Sequence, residues 1–242
     1  MKRTAIFLTS MLFVFSCACN EGGKPKANID NPEIEVDSAD VAEVVEPEGF
    51  RIEAVDLGLS VKWANANIGA NAPEEYGDYF AWGETAAKDK YDWSNYKYSK
   101  GGPAELTKYN IDKEFGTVDK KSVLLAEDDA ATAVLGGEWR IPTSGEWEEL
   151  LGKCKWTRES VNDVAGFRVT GSNGNSIFIP AAGSRDSKRT SHVGEDGFYW
   201  SSSLLKEEPS AALSMHFGSR GSAGMYMYHY RFYGQSVRAV SE

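Results

Sequence analysis

GGEWRIPTSGEWEELLGKC, residues 136–154, holds a helix start and the strand that leads into it. Thr143 and Glu146 stand three apart as a capping box, with the Thr hydroxyl accepting from the backbone at 146 and the Glu carboxylate from the backbone at 143. Behind the cap, Trp147, Leu150, Leu151 and Cys154 recur at i, i+3, i+4 and i+7, one apolar stripe on a short helix. Upstream, Trp139 and Ile141 flank Arg140 in strand alternation, and Pro142 marks the corner. This is scaffold: it says how the region folds.

Outward from it, Asp128 to Leu135 (DDAATAVL) reads as a second helix with acid in its first turn, where the dipole favours it. Val55 to Trp63 reads as a short strand with a turn, Tyr76 to Trp82 as an aromatic run, and residues 88–121 as a long ordered loop. Downstream, GFRV (166–169) and SIFIP (176–180) are strands around a Ser-Asn-Gly-Asn turn. Four more follow, at Phe198–Ser203, Ala211–Phe217, Met225–Phe232 and Ser236–Val240. The expected class is α+β, and residues 50–242 are long enough for one domain.

The chain begins differently. Lys2 and Arg3 precede an apolar run, Ala5 to Phe15, too short to span a bilayer. The run ends in Val14-Phe15-Ser16-Cys17, which resembles a bacterial lipobox. Residues 1–16 are then a lipoprotein signal peptide and Cys17 the lipidated first residue. Residues 17–49 read as an acidic disordered tether, since nine Asp and Glu face two Lys with no aromatic residue to bury. The formal net charge of −10 argues against nucleic acid. With Cys17 lipidated and Cys19 in the tether, Cys154 is the only cysteine of the domain, so no disulfide framework or zinc motif is expected.

The segments GGEWRIPTSGEWEELLGKC, AGFRVTG, FIPAAGSR, GFYWSSS and GQSVRAV, in that order, resemble the Fibrobacter succinogenes major paralogous domain, a family of Bacteroidetes surface lipoproteins. The resemblance covers about residues 55–240. It implies a C-type-lectin-like fold, a twisted antiparallel sheet with two flanking helices and long loops, shared with formylglycine-generating enzymes and with retroelement variable proteins. It also implies that Trp139, Arg140, Trp147, Trp200 and Arg238 are framework, and that the protein sits at the outer membrane, facing outward.

Catalysis is not expected. The formylglycine-generating relatives need a cysteine pair, and only Cys154 is present in the domain; none of His192, His216 and His229 stands in a nucleophile–base context. Glu208-Pro209-Ser210 and Val161-Asn162-Asp163 are imperfect versions of the calcium motifs of sugar-binding lectins. Asp186, Glu195 and Asp196 have no spacing that selects them as ligands. No metal and no cofactor are expected.

What remains is recognition by surface. In Met225–Tyr233 (MYMYHYRFY) an extended chain places Tyr226, Tyr228, Tyr230 and Phe232 on one face. Tyrosines offer rigid contact area with a polar tip, although such alternation equally suits cross-strand packing. In the retroelement variable proteins the diversified contacts lie just before the closing strand, here SVRAV. Adenine mutagenesis cannot create Met, which removes Met225 and Met227 from such a set. The expected contact residues are Tyr226, Tyr228, His229, Tyr230, Arg231, Phe232 and Tyr233, binding an external protein or glycan. The alternatives are a structural or adhesive module whose aromatic strand is core, and a divergent formylglycine-generating enzyme.

Overall fold

The corner at residues 139–144 folds as its sequence dictates. In the computed structural model, which describes residues 49–218 and 223–242, Thr143 caps a helix and the capping box is complete. Glu146 accepts from the Thr143 amide at 2.7 Å, and the Thr143 hydroxyl accepts from the Glu146 amide at 3.3 Å. The same Glu146 carboxylate takes a two-pronged ion pair from Arg140, at 2.8 and 2.6 Å, so the cap is tied to the strand before it. The expected signal peptide, Cys17 and nearly all of the expected tether lie outside the described residues.

The elements run β1 (Ala54–Val55), β2 (Lys62–Ala64), α1 (Ala130–Leu135), α2 (Ser144–Lys153), β3 (Lys155–Val161), β4 (Val164–Thr170), β5 (Ser176–Pro180), β6 (Ser184–Asp186), β7 (Arg189–Ser191), β8 (Gly197–Leu204), β9 (Ala211–Phe217), β10 (Ala223–Tyr230) and β11 (Val240–Ser241). The class is α+β. In place of one continuous sheet, the described residues form four small antiparallel ones, ordered β1-β2-β11, β10-β9-β8, β3-β4-β5 and β6-β7. Isolated bridges such as Arg140 to Val240 and Tyr199 to Ser236 pair strands with the segments between them. No helix of the described residues is long and apolar enough to cross a membrane.

β8 organises the interior because both of its faces are buried. Tyr199 points into one apolar cluster with Trp63, Trp147 and Phe217, and Trp200 into the other with Phe80, Trp82 and Val237. Three fully buried indoles reach backbone carbonyls: Trp147 to Trp200 (3.2 Å), Trp82 to Ser201 (2.8 Å) and Trp200 to Phe80 (2.8 Å). Arg238 is fully buried and donates to the carbonyls of Ala64 (3.1 Å) and Phe178 (2.8 Å). The framework roles expected for Trp147, Trp200, Arg140 and Arg238 follow from these contacts.

Several expectations change. The helix expected from Asp128 starts at Ala130, because Asp129 is its N-cap, accepting from Ala131, Thr132 and Ile141. Asp128 turns instead into the long loop, where Lys97, Tyr98, Lys108 and Tyr109 all donate to its carboxylate. Val161-Asn162-Asp163 is the turn of the β3–β4 hairpin, with Asn162 and Asp163 at φ 47° and 65°, as a two-residue hairpin loop requires. β3 itself had no strand expectation. Of Ser236–Val240, only Val240 is strand; Ser236 makes a single bridge to Tyr199, and Val237 and Ala239 accept lone hydrogen bonds from Ile68 and Ala64.

Candidate functional site

The aromatic run does not continue as one alternating strand. Pairing of β10 with β9 shifts register between Tyr226 and His229, and the strand stops at Tyr230. Residues 230–233 then form a turn closed by the Tyr233 amide on the Tyr230 carbonyl at 3.0 Å. A bulge and a turn both break the two-residue period, so the side chains separate by role. Tyr226 and Tyr228 have side chains outside the described residues.

Arg231 is a correction. Expected as a polar contact, it is fully buried. Its guanidinium donates to the Tyr96 hydroxyl (2.8 Å) and to the carbonyls of Tyr109 (3.1 Å), Pro209 (3.0 Å) and Lys108 (3.0 Å). It also lies over Trp82 (4.9 Å) and Tyr96 (5.3 Å). The cation is consumed in pinning the 88–121 loop and the Glu208-Pro209-Ser210 segment to the end of β10. Phe232 is corrected too: only 8% exposed, it packs under its neighbours as core.

Those neighbours face outward. Tyr230 is 42% exposed. Its ring stacks on Phe232 (5.9 Å, 18°), and Phe232 stacks on Tyr233 (4.5 Å, 23°). Trp93, on the long loop, meets Tyr230 edge-on at 5.8 Å and Phe232 at 5.1 Å. The exposed ring thus sits on a stack already fixed by packing.

Tyr230, Tyr233 and His229 converge on a cleft of about 370 Å³ that is also lined by Ser184, Asp186, Ser191, His192 and Phe198. The far wall is the β6–β7 hairpin, and backbone pairing sets its position. Arg185 and Gly234 exchange both hydrogen bonds (2.7 and 2.9 Å), as do Ser187 and Tyr91 (2.7 and 2.9 Å). Gly234 is required there, since a Cβ would fall 2.8 Å from the Tyr91 ring. Asp186 accepts from the Ser187 hydroxyl at 3.4 Å and has no ion-pair partner among the described residues. Burial, the Asp186 charge and Tyr230 push the Tyr233 hydroxyl above its ordinary value.

All three histidines of the chain gather on Phe198, with ring centroids at 4.5 Å (His216), 4.9 Å (His229) and 6.4 Å (His192). Burial, helped by His216, pushes His229 down to about 4. Burial lowers His216 as well, against the pull of Asp196. His192 lies 3.5 Å from Asp196 and 3.8 Å from Glu195. Among the described residues no three His, Cys, Asp or Glu side chains are grouped to hold a metal ion, Asp186, Glu195 and Asp196 included.

Two nucleophile candidates are unfavourably placed. Ser214 lies 3.1 Å from Nδ1 of His229, but Ser214 is fully buried, out of reach of a substrate. The thiol of Cys154, at the C-cap of α2, is raised by burial and by Glu149, the opposite of an activated thiolate. Sequence reasoning missed Trp93, Ser184, Ser191 and Phe198, and it weighed Asp186 and His192 only for other roles. Nothing in their local sequence marks them, since the hairpin reaches the cleft, and Trp93 reaches Tyr230, through long-range contacts. Comparison with known proteins adds no relative: no family model, no curated protein and no solved structure matches the chain.

Proposed function

We propose that this chain is an outer-membrane lipoprotein, anchored through Cys17 and facing outward, whose domain binds an external protein or glycan without catalysis. The observation that supports this reading is the convergence of His229, Tyr230 and Tyr233 on a concave cleft, with Tyr230 exposed on a buried aromatic stack. A rigid ring at a cleft rim loses little conformational entropy on binding. The contact set accordingly contracts to His229, Tyr230 and Tyr233, joined by Asp186 and Phe198, with Trp93 packed edge-on against Tyr230. We also propose membership of the Fibrobacter succinogenes major paralogous domain family, with its C-type-lectin-like fold. It is supported by the order of the five sequence segments and by the buried Trp and Arg positions within them. Whether residues 226–233 are diversified is a question for the surrounding DNA: a reverse transcriptase and a near-copy template support it, and their absence leaves a fixed site.

The test uses the full chain on arrays of surface proteins and glycans, followed by mass spectrometry of each captured ligand. Capture with the ligand recovered unchanged is the expected result. Time-dependent conversion of a ligand overturns the non-catalytic reading, and an absence of capture favours the structural-module alternative.

A further inference from the structure

Resting on that reading of the cleft, we infer that its ligand is a neutral saccharide, held between the aromatic rim and the hydroxyls and carboxylate of the β6–β7 hairpin. The lining pairs two kinds of group. Phe198, His229, Tyr230 and Tyr233 supply ring faces, while Ser184, Ser191, both tyrosine hydroxyls and Asp186 supply hydrogen-bonding groups. A pyranose has the matching surface: one face of C–H groups that lies on a ring, and an equatorial belt of hydroxyls that both donate and accept. Serine and tyrosine hydroxyls also do both, and a carboxylate accepts from two adjacent hydroxyls at once.

Charge separates this ligand from its competitors. Asp186 has no ion-pair partner among the described residues, so it disfavours an acidic sugar. Lys188 and Arg189, two and three residues on in the same hairpin, disfavour the approach of a basic side chain. A lysine or arginine stem would also leave the hydroxyls of Ser184 and Ser191 without partners, and unpaired polar groups are costly once water is expelled. Burial keeps the His229 ring neutral near pH 7, so it adds no charge to the lining. Selection by hydrogen bonds rather than by charge is what a neutral polyol exploits.

The experiment is saturation-transfer NMR on the full chain. The neutral probes are methyl glycosides of glucose, galactose, mannose and N-acetylglucosamine with their disaccharides, the acidic probe is methyl glucuronide, and the basic probe is a capped arginine peptide. Transfer to at least one neutral saccharide is expected. Asp186→Asn should weaken it tenfold or more and Tyr230→Ala should abolish it, with melting unchanged in both. If only the acidic or only the basic probe binds, and Tyr230→Ala still abolishes binding, the ligand class is overturned while the site stands. Saccharide binding indifferent to both substitutions overturns the class assignment and the site together. If no probe binds, the saccharide inference is overturned, and the site is judged by array capture.

Discussion

Arg231 shows how far one residue's role depends on the turn it occupies. A guanidinium with four hydrogen bonds, to three carbonyls and a tyrosine hydroxyl, cannot be truncated without stranding buried acceptors. Arg231→Met should therefore lower stability by about 3 kcal/mol or more, read as a fall in the urea midpoint. An unchanged midpoint would mean that the side chain is not buried as described. The histidines give a pH-dependent counterpart. His229 is held down to about 4, below imidazole's usual 6.5, so between those values the unfolded chain binds more protons than the folded one. The protein is then at full strength above pH 6.5 and loses stability as pH falls toward 4, with His216 acting in the same direction. At pH 5 the His229 contribution is on the order of 1–2 kcal/mol. The carboxylates that partners hold low, Asp128 and Glu146 among them, lose their contribution only at still lower pH. Urea midpoints at pH 7.5 and 5.0 check this: the parent should weaken at pH 5.0, and His229→Gln should flatten the difference. Equal parental midpoints would contradict a buried neutral ring.

At the scale of elements, the helix after Pro142 was legible because a cap and an apolar stripe are local signals, as are the strands around the Ser-Asn-Gly-Asn turn. Glu146 serves the cap and also pairs with Arg140, so the two cap residues should not be equivalent. Thr143→Ala should cost about 1 kcal/mol and Glu146→Ala clearly more, as ranked by thermal melting. Equal costs would show that the ion pair adds nothing. Less legible was β3, whose Lys, Thr, Arg and Glu on a half-exposed strand carry no strong alternation, and whose turn matches a calcium motif only imperfectly. Asp163→Gly, at φ 65°, should stabilise the hairpin by roughly 0.5–1 kcal/mol, since glycine carries no Cβ penalty there. A drop in melting temperature would mean that the Asp side chain does something the turn does not require. The aromatic run was legible as a candidate site, but the bulge after Tyr226 was not. Bulges are set by how two strands register, which one strand's sequence does not contain.

At the scale of the molecule, the cleft assembles from pieces far apart in the chain: the 184–191 hairpin, Phe198 on β8, and the turn after β10. Backbone pairing of Arg185 with Gly234 brings them together, and no local pattern announces such a contact. That is why Tyr230, Tyr233 and His229 were nameable in advance and most of their companions were not. The account's central claim is that Tyr230 is a ligand contact and not a support of the core. The measurement is the dissociation constant of Tyr230→Ala for the tightest ligand captured from the arrays, taken with its melting temperature. A half-exposed ring at a cleft rim leaves little cavity when removed, so stability should change by under about 1 kcal/mol. Affinity lost by tenfold or more at near-parental melting is the result expected here. Parental affinity, or a collapse in melting like that expected for Arg231→Met, would contradict it.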